Sequence, residues 1–312
     1  MRALVSGGAG FIGHHLVRGL LERGDQVTVI DDFSTGLRSR LDSFRGEITL
    51  VEGSILDSVA LDRAAANSDV IFHEAAIASV AQSIVTPRRT NETNVTGTIE
   101  VMLAGARHKV RRVVFASSSA VYGIPERLPC REDQRPEPMS PYGVSKLAGE
   151  HYVHTLGHLH GVETVVLRYF NVFGPGQDPA SEYAAVIPKF GTAVLQGEAP
   201  TIYGTGEISR DFIYVDDVVA ANLLAAMPTS PSGLTCNVAT GSHHTLTQLL
   251  QSICTAVGRE VEPILGPPRV GDIIDSRADI AAARQALDFS VSVSFDEGIA
   301  RTMDWLRRAL QV

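Results

Sequence analysis

The chain predicts an α/β fold: a doubly wound parallel sheet covered by helices on both faces, with a smaller α/β lobe at its C-terminal end. Three observations predict it. Short apolar runs alternate with amphipathic stretches through the first half. A glycine-rich loop joins the first apolar run to the first amphipathic stretch. From about residue 169 the alternation gives way to an irregular pattern punctuated by Pro175, Pro179, Pro188, Pro200, Pro263, Pro267 and Pro268.

The elements follow in order. Ala3–Ser6 predicts a strand, Phe11–Arg23 a helix and Gln26–Ile30 a second strand. Further strands are expected at Thr49–Val51, Val70–Phe72, Val113–Phe115 and Val165–Leu167, with helices around 57–66, 92–108 and 143–160. Such alternation means a parallel sheet buried on both faces. Residues 1–168 are expected to form one domain, to which segments near 211–240 return, and 169–312 mainly the second lobe.

Composition narrows the function classes. The 312 residues carry a net charge of −8, which leaves no broad basic face for nucleic acid. The three cysteines, Cys130, Cys236 and Cys254, are widely spaced, which suggests reduced thiols in a cytosolic protein and neither a disulfide frame nor a metal knuckle. No apolar run approaches the ~20 residues of a membrane span. The chain opens directly on a strand, which reads as the absence of a signal peptide. His154 and His158 lie one turn apart, and His14-His15 and His243-His244 are adjacent, but no acidic or cysteine partners complete a metal site.

The loop Gly7-Gly8-Ala9-Gly10-Phe11-Ile12-Gly13 sits between strand and helix. Gly7 permits a tight turn, Gly10 a close approach to a pyrophosphate, and Gly13 close packing of helix and strand. The free N–H groups at the helix start attract phosphate. Asp31 ends the second strand, where a carboxylate suits the ribose diol of NAD and repels the phosphate of NADP. The cofactor expected is NAD in a Rossmann-type domain.

Tyr142 and Lys146 lie four residues apart on one helical face. Ser140-Pro141 reads as an N-cap followed by proline at the first helical position. A neighbouring ammonium and the positive helix start should both lower the Tyr142 pKa and make it a proton-transfer group for an alcohol.

Taken with His73–Ala76, Ser117–Gly123, Arg168–Gly174, Gly206…Arg210-Asp211-Phe212 and Arg269-Val270-Gly271-Asp272, these motifs resemble the extended short-chain dehydrogenase/reductase family. The similarity runs the length of the chain and falls in the nucleotide-sugar epimerase/dehydratase branch. It implies that Ser118, four residues before Tyr122, joins Tyr142 and Lys146 as the third catalytic group. It further implies a cofactor site of Gly7, Gly10, Phe11, Ile12, Gly13, Asp31, Asp32, Ser34, Thr35, Gly36, Ser54, Ile55, Ala75, Ala76, Ile77, Asn94, Tyr142, Lys146, Tyr169 and Val172.

The positions after Ser118 bear on reaction type. Dehydratases resemble one another in an acid pair there, and sugar decarboxylases keep a Glu, whereas this chain has Ser119 and Ala120. Neither side chain can act as a carboxylate acid or base. What remains is a UDP-sugar 4-epimerase working through a 4-keto intermediate. The resemblance implies substrate contacts from Ser79, Ser118, Ser119, Tyr142, Asn171, Val186, Tyr203, Arg210, Arg269, Asp272 and Ser276. Ser276 occupies a position where a tyrosine would restrict the site to glucose and galactose, so a C2 acetamido group should fit. The run Gly174–Pro179 followed by Tyr183–Lys189 looks like the N-acetylhexosamine epimerases. Asp178 replaces the Arg of glucuronate epimerases, which argues against a uronate. Departures are Ser54 for Asp, Glu74 for Leu or Gln, Ala78 for Gly and Ile274 for Arg. A uronate epimerase, a one-way sugar-nucleotide oxidoreductase and a non-catalytic NAD-bound scaffold are the alternatives; Ser118, Tyr142 and Lys146 together weigh against the scaffold. Relatives pair the helices near 92–108 and 143–160 across a two-fold axis, which implies a homodimer.

Overall fold

The computed structural model describes residues 1–178, 186–267 and 275–311. Seven parallel strands form its main sheet, in the order Leu234–Val238, Glu163–Tyr169, Arg112–Ser118, Val70–His73, Arg2–Ser6, Gln26–Asp31 and Ile48–Glu52. Alternate residues of a strand face opposite sides, and the inner strands bury both. Val5, Val29, Phe72, Val114 and Leu167 pack against Leu16, Val17 and Leu20 on one face. Leu4, Ile30, Ile71, Val113 and Val166 pack against Leu61, Val101, Met102 and Val153 on the other. This two-sided burial is why the strands read as continuous apolar runs.

Helices cover the faces where the amphipathic stretches predicted them: Phe11–Glu22, Ser58–Ala65, Gly97–Arg107 and Pro141–His160. Ser140 caps the last of these by accepting the Gly143 N–H at 3.1 Å, with Pro141 opening it. The helix expected at 92–108 starts earlier: Pro87–Asn91 runs through a π-helical turn at Glu92–Thr96 into Gly97–Arg107. The helix Val215–Ala225 and the strand Leu234–Val238 lie in the part of the chain expected to rejoin the first domain. Val218 and Val219 pack in the same apolar core as Leu16 and Leu20.

The remaining segments build a smaller lobe around Phe173, Ile187, Phe190, Val194, Ile253, Met303 and Leu306. Three helices, Val186–Gln196, Leu246–Val257 and Phe295–Leu310, surround paired strands of two or three residues. The last two of those helices went unread in the sequence. Both are amphipathic and capped by Thr245 and Ser294, so capping residues were the missed signal.

The strand order places the site. From Arg2–Ser6 the chain winds outward through Gln26–Asp31 and Ile48–Glu52, then crosses to Val70–His73 on the other side. Loops leaving the C-terminal ends of Arg2–Ser6 and Val70–His73 therefore diverge and open a crevice, where doubly wound sheets bind ligands. Among the described residues no helix is long and apolar enough to cross a membrane.

Candidate active site

Gly7 leaves its strand with φ +73°, a conformation that glycine adopts without strain, and a Cβ there would lie 2.7 Å from the Ala75 backbone. A Cβ at Gly13 would strike the Gly7 carbonyl oxygen, so the helix can approach the loop only as glycine. The helix Phe11–Glu22 begins at Gly10 with no side-chain cap, leaving the first N–H groups for a ligand. Phe11 and Ile12 provide backbone there, while Phe11 packs its ring on His15 and Ile12 packs on the core.

The crevice beside this loop is lined by Gly7, Gly10, Asp31, Asp32, Ser34, Thr35, Gly36, Ser54, Ile55, Ala75, Ala76 and Ile77, all of which the sequence placed at the cofactor, together with Ile30, Gly53, Glu74 and Thr93. Asp31 is anchored by N–H groups of Ala9 at 2.9 Å and Phe33 at 2.8 Å, which aim its carboxylate into the crevice. A Cβ at Gly36 would lie 2.8 Å from that carboxylate. Uncapped N–H groups at one end and a held carboxylate at the other fit the pyrophosphate and ribose of NAD.

Phe11, Ile12, Gly13, Tyr142 and Lys146 do not themselves line the crevice, nor do Asn94, Tyr169 and Val172, which are held elsewhere. The buried Asn94 accepts the Ile77 N–H at 2.8 Å and donates to the Ile77 carbonyl at 3.1 Å and the Ser145 hydroxyl at 3.0 Å. Its amide thus fixes the crevice wall to the helix Pro141–His160. Tyr169 donates to Glu74 at 2.8 Å and accepts from Asn222 at 2.7 Å. Val172 lines the second cavity described below.

Ser118 ends the strand Arg112–Ser118, and its hydroxyl accepts the Ala120 N–H at 3.1 Å. Ser119 starts the following 3-10 turn and stands half-buried beside it. Tyr142 occupies the first turn of its helix, with its N–H donated to Ser83 at 3.1 Å. Lys146 donates from Nζ to the Ala116 carbonyl at 2.8 Å, which ties the helix Pro141–His160 to the strand Arg112–Ser118. Helix and strand thus bring Ser118, Tyr142 and Lys146 together.

One electrostatic expectation is overturned. Burial raises the Tyr142 pKa, the nearby Ser118 hydroxyl opposes the rise, and the charge of Glu74 adds to it. Lys146 does not lower it because its ammonium stands 6.0 Å from the ring centroid, bonded to a carbonyl, and burial pushes its own pKa down to about 8. Without further positive charge Tyr142 is a phenol.

A second cavity of about 400 Å³ opens in the smaller lobe. Asn171, Val186, Tyr203 and Arg210, all expected at the substrate, line it with Val172, Phe173, Gln177, Lys189, Phe190 and Phe212. The last five were not singled out. Lys189, a cation in the first turn of the apolar helix Val186–Gln196, was the available signal. Gln177 donates to the Val172 carbonyl at 3.3 Å, and its buried side-chain oxygen has no partner among the described residues. Asn171 donates to the Asp211 carbonyl at 2.9 Å.

Other expected contacts stand apart. Ser79 caps the helix Val80–Val85, accepting the Gln82 N–H at 3.0 Å. Ser276 is half-buried and accepts the Asp211 N–H on its carbonyl at 2.7 Å, beside Arg210. Asp178 does not line the cavity; its charge bears on Arg40, which reaches the Ala9 and Gly176 carbonyls. The argument from Asp178 against a uronate therefore loses its geometric basis. Tyr183, Arg269, Asp272 and Ile274 lie outside the described residues. The histidines hold structure: His14 bonds the Gly10 carbonyl, His15 the Pro175 carbonyl, and His154 the Thr164 and Thr235 hydroxyls.

The chain matches a family model described as NAD dependent epimerase/dehydratase family over residues 3–239. It is 39% identical to a UDP-glucose 4-epimerase of Mycolicibacterium smegmatis, over 100% of both chains. Its structure is similar to that of a UDP-glucose 4-epimerase of Thermotoga maritima solved with UDP-glucose, at TM-score 0.94 and 37% identity, covering 99% of this chain and 100% of the other. It is equally similar to a UDP-N-acetylglucosamine 4-epimerase of Methanobrevibacter ruminantium solved with UDP-N-acetylmuramic acid, at TM-score 0.94 and 37% identity, covering 100% of this chain and 99% of the other. With its glycine loop, held Asp31 and assembled Ser118, Tyr142 and Lys146, the chain belongs to the NAD-dependent epimerase/dehydratase family.

Proposed function

We propose that the protein is an isomerase that inverts C4 of a UDP-hexose or UDP-N-acetylhexosamine through a 4-keto intermediate. The observation that carries this reading is Ser118 at the end of a strand whose two neighbours lead into the dinucleotide crevice, at Glu74–Ile77, and into the cavity of about 400 Å³, at Asn171 and Val172, with Tyr142 and Lys146 beside that strand and no carboxylate at 119 or 120.

Bound NAD supplies reversible two-electron oxidation at the sugar C4. Tyr142 takes the O4 proton and returns it, and the Ser118 hydroxyl, which both donates and accepts, bridges O4 and Tyr142. Lys146 holds the nicotinamide ribose. Asn171 and Arg210 take the diphosphate, Tyr203 lies against uracil, and Arg269 and Asp272 complete the nucleotide site. The ketone turns over in the cavity and is reduced on its other face. Ser118-Ser119-Ala120 offers no group for eliminating water or carbon dioxide.

Ser276 supports admission of a C2 acetamido group. Division into a Rossmann-type domain at 1–168 with segments near 211–240, and a substrate lobe mainly at 169–312, is supported by the separate apolar core of the second lobe. A homodimer is supported by apolar side chains left exposed on adjacent helices: Val144, Tyr152 and Leu159 on one, Ile84 and Val85 on another. Cytoplasmic location is supported by three unbridged cysteines, all buried.

Purified protein incubated separately with UDP-glucose, UDP-N-acetylglucosamine and the corresponding uronates should yield the C4 epimer of one or both of the first two. Epimer only from a uronate would replace this reading with a UDP-uronate 4-epimerase, and release of a keto sugar with consumption of added NAD would replace it with a one-way oxidoreductase.

A further inference from the structure

Glu74 follows the strand Val70–His73 and forms part of the wall of the cofactor crevice, between the glycine loop and the catalytic strand. Its neighbours on the same wall, Ala75, Ala76 and Ile77, are apolar. A carboxylate in such surroundings is costly to bury unless it is paired and hydrogen-bonded. The polar contact that holds it is the Tyr169 hydroxyl at 2.8 Å, itself steadied by Asn222 at 2.7 Å. Its charge acts on Lys146 and Tyr142, so it stands within electrostatic reach of the catalytic pair. Asp31 and Asp32 are the other carboxylates lining the crevice, at the end of the neighbouring strand Gln26–Asp31.

Oxidising a sugar alcohol to a ketone removes two hydrogens. One leaves C4 with its bonding pair and neutralises the pyridinium of NAD; the other leaves O4 as a proton for Tyr142. The oxidised cofactor is therefore one positive charge richer at its nicotinamide than the reduced one, and the buried Lys146 ammonium repels that charge. We propose that Glu74 is a positioning residue for this charge: its carboxylate, anchored by Tyr169 in the crevice wall, offsets Lys146 and favours oxidised over reduced NAD in the site. This would keep the resting protein in the form that can accept hydride from C4, and would favour hydride return to C4 of the keto sugar, which restores the alcohol. The inference rests on the NAD site argued above.

The groups facing Glu74 define the pH dependence. Tyr142 and Lys146 come from the helix Pro141–His160, Tyr169 from the strand Glu163–Tyr169 and the neutral Asn222 from the helix Val215–Ala225. Burial raises both tyrosines, pushes Lys146 down to about 8 and pushes Glu74 up to about 7. His73, on the Glu74 strand, is held neutral by burial, with its pKa near 3. Between pH 6 and 7.5 the larger change of charge is at Glu74, and Lys146 begins to lose its proton at the upper end of that range.

The test is a partition measurement that needs no turnover. Full-length protein is equilibrated with an equimolar mixture of NAD⁺ and NADH, separated from free cofactor and extracted, and the bound ratio is determined chromatographically. Wild type at pH 7.5 should hold NAD⁺ over NADH at least tenfold more strongly than E74Q, the size expected of one unit charge within about 12 Å at an effective dielectric of ~20. The wild-type preference should fade toward pH 6, and the E74Q ratio should change less over the same range, through Lys146 alone. Gln keeps an acceptor for Tyr169, so a shared ratio in wild type and E74Q at pH 7.5 would overturn the proposal and leave Glu74 as packing. Binding of neither cofactor by wild type would overturn the cofactor site and the proposal together. E74D provides the control for folding: it should restore the wild-type preference, and an E74Q-like ratio in E74D would also count against a charge effect.

Discussion

The Lys146 ammonium stands 6.0 Å from the centre of the Tyr142 ring and donates to the Ala116 carbonyl at 2.8 Å. Lysine and tyrosine thus share a helical face, yet the ammonium does not reach the phenol oxygen. In the free protein burial holds Tyr142 protonated. Activation must come with positive charge placed in the crevice, which is the charge of oxidised NAD. Adding NAD⁺ to the protein should lower the Tyr142 pKa by about one to two units. Phenolate absorbance, read as the difference between wild type and Y142F, should rise at lower pH with NAD⁺ than with NADH. Identical titrations with the two cofactors would refute this.

Removing the phenol should cost turnover. Y142F should lower kcat by about 10²-fold to 10⁴-fold, the span of a positioned acid/base, with KM little altered. Steady-state rates on the sugar that the protein epimerises measure this. A drop below tenfold would move the proton-transfer role elsewhere.

Behind the catalytic strand, Arg168 and Glu150 form a buried ion pair at 2.7 Å, each side chain 6% exposed. Ser117 donates to Glu150 at 2.5 Å and Arg168 donates to Tyr122 at 2.9 Å. Glu150 thus ties two strands to the helix bearing Tyr142 and Lys146: the strand bearing Ser118, through Ser117, and its neighbour Glu163–Tyr169, through Arg168. Deleting one partner leaves a buried charge, so E150Q or R168M should each cost about 3–5 kcal/mol in denaturant unfolding. The double variant should cost less than the sum of the two.

Gly13 lies against the Gly7 carbonyl oxygen, where a methyl group has no room. G13A should push the helix off the loop, lower stability by about 1–3 kcal/mol and weaken NAD binding at least tenfold. Calorimetric titration reads the binding, and retention of wild-type affinity would show that the contact relaxes freely.

Glu74 should also write itself into stability. Burial raises its pKa from 4.5 to about 7, so the folded state holds its proton more tightly than the unfolded state. Its contribution is then fully present below pH ~4.5 and is lost as pH rises through 7. E74Q escapes that loss. In cofactor-free protein its stability relative to wild type should rise from pH 5 to pH 8 by about 2 kcal/mol, reduced from the full linkage value by solvent screening. Thermal unfolding at the two pH values tests the sign.

What the sequence disclosed follows from how local each signal is. The strands at Val70–His73 and Arg112–Ser118 are buried on both faces, so their apolar runs announced them. Gly7, Gly10 and Gly13 act through their own backbone, which makes their spacing readable. Asn94 and Tyr169 were placed at the cofactor but bond instead to Ile77, Ser145, Glu74 and Asn222, partners up to 95 residues away. Paired strands of two or three residues in the second lobe, such as Thr201–Tyr203 with Ile264–Gly266, are set by partners some 60 residues distant and carry no periodicity. The Tyr142 shift depended on depth of burial, which helical spacing does not encode.

Oxidation and return at one carbon is the central claim, and isotope retention tests it most directly. A UDP-sugar carrying deuterium at C4 is incubated with the protein in ordinary water, and the product is followed by NMR and mass spectrometry. The C4 epimer should form with its deuterium still on C4. An absence of epimer, or an epimer whose C4 deuterium has exchanged with water, would contradict the account.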